Sequence, residues 1–106
     1  MNKALRQEIR QLKHRKERTK QRKVMVEGEK CIRELCRSSW AVERIYYTND
    51  WDDAPLWDLN DEMRSLPRML VGTKDMALMS ALKTPPGLLA IAPWPLELGR
   101  LPSDDG

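Results

Sequence analysis

Val24-Met25-Val26-Glu27-Gly28-Glu29-Lys30-Cys31-Ile32-Arg33-Glu34-Leu35 changes its hydrophobic period midway. Three apolar residues in succession, Val24 to Val26, read as a buried strand. Glu27-Gly28 interrupts the run. Beyond it, Cys31, Ile32, Leu35 and Cys36 fall at i, i+1, i+4 and i+5, one face of a helix. Gly28 suits the turn between them, because a backbone that leaves a strand tightly has no room for a Cβ. Strand, turn and helix in that order begin an α/β fold.

Working outward, the whole chain of 106 residues is the size of one domain. A chain of this length buries about 60% or more of its unfolded surface, so its core needs no disulfide or metal. No apolar run approaches the ~20 residues of a membrane span. The N-terminus lacks the apolar centre of a secretory signal, and Glu8 and Glu17 argue against a transit peptide. Cys31 and Cys36 stand ~140° apart around a helix, too far to bond or to share a metal, and read as small buried hydrophobes in a reducing cytoplasm.

The net charge of +3 conceals an asymmetry. Residues 1–23 carry ten Lys and Arg against two Glu, whereas residues 24–106 carry nine against fourteen Asp and Glu. Nearly all the excess positive charge lies in one segment, a footprint for a polyanion, with nucleic acid the first candidate. A solvated helix or a basic tail is the plainer alternative.

Residues 3–21 contain neither Pro nor Gly and read as a helix anchored by Leu5, Ile9 and Leu12. Residues 13–23 have no large aliphatic side chain and are expected to project into solvent or toward a ligand. His14, alone among charges, reads as an exposed polar residue. After the strand–turn–helix unit, residues 41–48 have the β-branched and aromatic bias of a second strand. Asp52 or Asp53 reads as a helix cap, with Pro55 in the first turn and Leu56, Leu59, Met63 and Leu66 as one buried stripe. Met69 to Val71 is a third strand. Thr73 then caps a helix with Met76, Met79 and Leu82 on one face. Thr84-Pro85-Pro86-Gly87 is a rigid turn, and Leu88 to Ala92 is wholly apolar, so it reads as a central strand covered on both faces. The signal fades from Pro93 onward. The acidic residues Asp50, Asp52, Asp53, Asp58, Asp61 and Glu62 are expected to be caps and solvated side chains rather than catalytic pairs.

The order is one helix, then four strands separated by three helices, an α/β arrangement with a sheet covered on both faces. The division is a basic helix at 1–23, an α/β domain at 24–92 and a linker at 93–106.

Three landmarks in this order carry a resemblance: the basic helix ending in Arg22-Lys23-Val24-Met25-Val26-Glu27-Gly28-Glu29-Lys30, the strand Val42 to Thr48, and Met79-Ser80-Ala81-Leu82-Lys83-Thr84-Pro85-Pro86-Gly87-Leu88-Leu89-Ala90. Together they resemble the N-terminal substrate-binding domain of the SpoU/TrmH (SPOUT) family of RNA 2′-O-ribose methyltransferases, over about residues 10–92. The family-motif positions are Glu27, Gly28, Thr84, Pro85 and Gly87. Val24 stands where the family usually has an aromatic residue, and Pro86 where a polar one, often Gln, is common.

The resemblance implies a three-layer α/β/α domain with a four-stranded sheet, like that of kink-turn-binding ribosomal proteins. It implies recognition of ribosomal or transfer RNA in the cytoplasm. It also implies a second domain, with a knotted backbone, that binds S-adenosylmethionine, holds the catalytic residues and belongs to a homodimeric enzyme. The sequence ends where a linker to that domain would run, so neither a catalytic residue, a metal nor a cofactor is expected in this part. The expected RNA contacts are Arg10, Lys13, Arg15, Lys16, Arg18, Lys20, Arg22 and Lys23 along the basic segment, with Lys83 and Thr84 on the turn. A protein-interaction module whose basic helix docks on an acidic partner is the rival reading. A membrane-surface helix is a poor one, since the apolar face lacks an aromatic anchor.

Overall fold

The computed structural model describes residues 1–94. Helices α1 (Lys3–Arg10) and α2 (Arg15–Gln21) flank a 3₁₀ turn at Gln11–Lys13. The decisive stretch then folds as β1 (Lys23–Glu27), a turn at Gly28, and α3 (Glu29–Arg37). Next come β2 (Arg44–Tyr47), 3₁₀ turns at Asn49–Trp51 and Pro55–Asp58, α4 (Asp61–Ser65), β3 (Arg68–Leu70), α5 (Thr73–Met79) and β4 (Leu88–Pro93). The sheet order is β1-β4-β2-β3. β4 runs antiparallel to both neighbours, and β2 and β3 are parallel.

The apolar run Leu88 to Ala92 is the central strand, and its alternation builds two cores. Leu89 and Ile91 join Ile9, Leu12, Tyr46, Met76 and Met79 beneath α1 and α5. Leu88 and Ala90 join Ile32, Ile45, Leu56, Trp57 and Met63 beneath α3, the Pro55–Asp58 turn and α4. The result is the expected three-layer α/β/α domain. Each fully buried aliphatic side chain contributes roughly 1.5–3 kcal/mol of transfer free energy, so both layers are firmly attached to the sheet.

Several elements differ from the expectation. The basic helix is broken at His14, whose backbone is extended (φ −99°, ψ 130°). Gln21 donates a hydrogen bond to the Glu8 carbonyl at 3.4 Å, although thirteen residues of straight helix would separate them by about 20 Å. Thus α2 folds back along α1 instead of projecting from the domain. The stripe from Leu56 to Leu66 is a 3₁₀ turn followed by a separate helix. Neither Asp52 nor Asp53 caps it; the Asn60 side chain accepts from the Met63 N–H and starts α4. Gly72, not Thr73, occupies the cap of α5, and α5 ends at Met79, leaving Leu82 51% exposed. The second strand is confined to Arg44–Tyr47. At the other end, Pro93 pairs with Lys23 and Trp94 is buried, so the core continues past residue 92. The expected linker from residue 95 on lies outside the described residues.

The two cysteines also part company. Cys36 is buried and Cys31 is exposed. Burial, reinforced by the nearby Glu62 carboxylate, pushes the Cys36 thiol up from its ordinary range. Because the folded state favours the neutral thiol, this contribution to stability is complete below the unfolded value and is lost as pH rises through the folded one. Alkylation of the native chain at neutral pH is expected to label Cys31 rapidly and Cys36 only when urea unfolds the domain. Mass spectrometry of the labelled peptides reads the two rates; equal rates would contradict the assignment.

Candidate nucleic-acid interface

Asn2 begins α1 by accepting from the Ala4 and Leu5 N–H groups. Ile9 and Leu12 turn into the core, at 4% and 2% exposure. Their burial fixes which way the basic residues face. Arg10, Lys13, Lys16 and Lys20 are exposed and make no ion pair with any described residue. Arg15 is exposed as well.

Three other cations of the segment, Arg18, Lys23 and Arg6, have partners within the domain. Arg18 is partly buried and its Nη1 donates to the Leu12 carbonyl at 3.1 Å, tying α2 to the turn before it. Lys23 pairs with Glu43 at 3.1 Å. Arg6, on the same basic face in sequence as Lys3, Arg10 and Lys13, pairs with Asp75 at 2.7 Å and fastens α1 to α5. Arg22 is exposed, with its guanidinium 4.9 Å from the centre of the Trp94 ring.

The acidic residues occupy different ground. Asp58, Asp61 and Glu62 are exposed in the turn and helix that cover the opposite face of the sheet. Asp58 and Asp61 both pair with Arg64. Asp50, Asp52 and Asp53 are exposed beyond β2. Among the described residues, the α1–α2 side therefore carries a cluster of cations without ion pairs, and the α3–α4 side with the loop beyond β2 carries most of the acid.

The two family-motif segments meet at one brace. The Glu27 carboxylate accepts from Ser80 Oγ at 2.6 Å and from the Ala81 N–H at 2.9 Å. Gly28, at φ +93°, donates its N–H to the Leu88 carbonyl and accepts from the Ile32 N–H, joining β1 to β4 and opening α3. The Pro86 carbonyl accepts from the Trp51 indole at 2.8 Å, and the Gly87 carbonyl from the Thr48 N–H at 3.0 Å. This brace presents Lys83 and Thr84 to solvent, while Pro85 is half-buried. No hydrogen bond or ion pair among the described residues links Lys83 or Thr84 to the α1–α2 cations.

Glu27 thus holds the turn rather than a ligand. Replacing it with Ala is expected to destabilise the domain by about 2 kcal/mol, because two bonds to a charged acceptor are lost. Urea unfolding monitored by tryptophan fluorescence measures this, and an unchanged midpoint would contradict it.

The tryptophans are mostly internal. Trp51 and Trp57 donate their indole N–H groups to main-chain carbonyls. Trp57 also packs edge-on against Tyr47 and beneath Arg68. Trp94 packs with Val24 and Ala92 inside this domain. Among the described residues no cluster of His, Cys, Asp or Glu is arranged to hold a metal ion, and no helix is long and apolar enough to cross a membrane. A cavity of about 370 Å³ beside β1 is walled by Val24, Met25, Val26, Leu35 and Trp40, with Cys31, Glu34 and Ser38 at its margin.

Comparison with known proteins agrees with this fold. Residues 3–90 match the model of the MRM3-like substrate binding domain family. No curated protein matches the chain. Among solved structures, an RNA 2′-O ribose methyltransferase superposes with a TM-score of 0.71 at 21% identity over 88% of this chain. The SpoU methyltransferase AviRb from Streptomyces viridochromogenes, in complex with AdoMet, gives 0.71 at 17% identity over 89%. An AdoMet-bound rRNA methyltransferase from Sinorhizobium meliloti gives 0.68 at 18% over 88%. The chain spans 35%, 36% and 34% of those three proteins respectively, about a third of each.

Proposed function

Because this chain belongs to the MRM3-like substrate binding domain family, we propose that it recognises RNA for a longer 2′-O-ribose methyltransferase by laying the α1–α2 face on the phosphate backbone. The observation that carries this reading is the set of exposed cations Arg10, Lys13, Lys16 and Lys20, without ion-pair partners among the described residues, on the side of the sheet away from the acidic helix α4. Arg15 and Arg22 extend the same surface. Lys83 and Thr84 supply a second contact from the braced turn. Arg18 and Lys23 serve as supports for this surface, given their internal partners.

In this reading residues 1–94 act as one binding unit. The residues beyond lead to a catalytic domain in a homodimeric, cytoplasmic enzyme acting on ribosomal or transfer RNA. The solved relatives bound to AdoMet support S-adenosylmethionine as the methyl donor of that longer protein. The residues described in this chain do not fit that cofactor. The cavity beside β1 is walled mainly by aliphatic and aromatic side chains, and no glycine-rich loop follows a strand to cradle a nucleotide. The contribution of this chain is to bind and orient the substrate.

The test is fluorescence anisotropy of the 106-residue chain with an unmodified transfer RNA transcript, a ribosomal RNA fragment, heparin and an acidic protein at one ionic strength. RNA is expected to bind at least about tenfold more tightly than the acidic protein, through counterion release from its backbone. Preference for the acidic protein would replace this reading with a protein-docking one.

A further inference from the structure

Arg22 closes α2 in the left-handed conformation, at φ 54° and ψ 48°. Among the described residues it is the one non-glycine residue at positive φ. Its carbonyl accepts the Trp94 N–H at 2.7 Å. Its guanidinium lies 4.9 Å from the centre of the Trp94 ring. Trp94 is 7% exposed, whereas Arg22 is exposed and makes no ion pair with another described residue. The Trp94 indole Nε1 is buried and has no hydrogen-bond partner among the described residues.

Two local costs therefore meet at one place. A left-handed arginine is strained where glycine or asparagine would not be. A buried indole N–H without an acceptor is unfavourable where Phe or Leu would carry no such group. Neither cost serves the packing of Val24 and Ala92, which need only an apolar neighbour. What this pair of residues does provide is a rigid cation. Indole is the best aromatic platform for a guanidinium. The planar fork, held over the ring at 4.9 Å from its centre, has a partner that restricts it before any ligand arrives, whereas a lysine is a point charge on a flexible four-carbon stem. Local strain that persists in a folded domain is a pointer to function.

We propose that Trp94 is a positioning residue for RNA binding: its ring fixes the Arg22 guanidinium at the end of α2 so that the fork receives the two free oxygens of one RNA phosphodiester. The contact is charge-assisted and bidentate. It sits beside exposed Lys20 in the last turn of α2, while Lys23, held by Glu43, does not compete for the same phosphate. The inference rests on the RNA reading above and adds to it a fixed point of register among otherwise mobile contacts.

A double-mutant cycle on the 106-residue chain, read by anisotropy with the transfer RNA transcript, tests it. Arg22→Ala and Trp94→Leu are each expected to weaken binding about fivefold, and the double variant no more than either single one, because Trp94 acts through Arg22. Arg22→Lys keeps the charge and is expected to lose about threefold with the salt slope unchanged. Trp94→Phe keeps an aromatic face and the fold, and is expected to lose about twofold. Thermal unfolding of each variant monitors the fold. Losses that multiply in the double variant, or Arg22→Lys binding like the native chain, would overturn the inference and leave the RNA reading standing. A native chain that binds neither RNA would overturn both.

Discussion

Gly87→Ala is expected to destabilise the domain by about 3–4 kcal/mol, more than the loss expected from removing the Glu27 carboxylate. Gly87 has φ +79°, where a Cβ is strained. A Cβ built there would lie 2.6 Å from Thr48 Oγ1 and 3.2 Å from Trp51 Nε1. Neither neighbour can withdraw freely. Thr48 is buried and its N–H is bonded to the Gly87 carbonyl. The Trp51 indole is bonded to Pro86. Relief of the clash breaks the bonds that hold the turn to β2. A domain with about 5–15 kcal/mol of total stability loses a large share of it, more than about half at the lower end. Gly72→Ala is the control: its φ is −73° and nothing lies within 4 Å of the added methyl. It is expected to stay within about 0.5 kcal/mol of the native value. Urea midpoints with unchanged m-values decide the comparison. Equal midpoints for both variants would contradict this account of the turn.

Removing Arg10, Lys13, Lys16 and Lys20 together is expected to weaken RNA binding about a hundredfold or more at about 100 mM salt, while the thermal midpoint stays close to native. These side chains are exposed and lack ion-pair partners among the described residues, so the fold does not depend on them. Their effect on affinity is collective, since each neutralises a phosphate and releases condensed counterions. Arg18 is left out because its guanidinium braces Leu12; its removal would confuse lost binding with lost structure. A variant that keeps native affinity would remove the α1–α2 face from the interface.

The sheet was legible because its decisive residues are local. Leu88 to Ala92 is apolar without a break, and only a strand covered on both sides accepts that. Gly28 sits where the turn is, and Leu5, Ile9 and Leu12 mark the side of α1 and of the 3₁₀ turn after it that packs on the core. The misread elements depend on partners distant in sequence. Helix α5 stops before Leu82 because Glu27, more than fifty residues upstream, binds Ser80 and the Ala81 N–H. The basic helix breaks at His14 because Leu12 is drawn into the core and Arg18 and Gln21 find main-chain acceptors in the preceding segment. No proline or glycine announces that break. The apolar stripe from Leu56 to Leu66 kept the right residues inside but concealed a change from 3₁₀ turn to α-helix. Asn60-Asp61-Glu62 was the signal that could have revealed it, a capping side chain followed by acid in the first turn.

The candidate interface was legible as charge and not as geometry. Ten cations in residues 1–23 pointed to a polyanion. Which of them face outward followed only from the fold-back of α2. Arg18 and Lys23 looked identical to Lys16 and Lys20 in sequence, yet each has an internal partner. Glu27 and Gly87 stood out in the sequence only as family-motif positions, and their hydrogen bonds make them braces. Trp94 looked like the start of a linker and is part of the core.

The central claim is that phosphate backbone lies on the α1–α2 side of the sheet. Its most direct test is the dependence of RNA affinity on salt for three proteins: the native chain, the Arg10/Lys13/Lys16/Lys20→Ala variant, and an Arg37/Arg64→Ala variant on the α3–α4 side. The slope of log affinity against log salt is expected to fall by about three units in the first variant and to stay within about half a unit of native in the second. A slope that falls in the second variant and holds in the first would place the RNA on the opposite face and contradict the account.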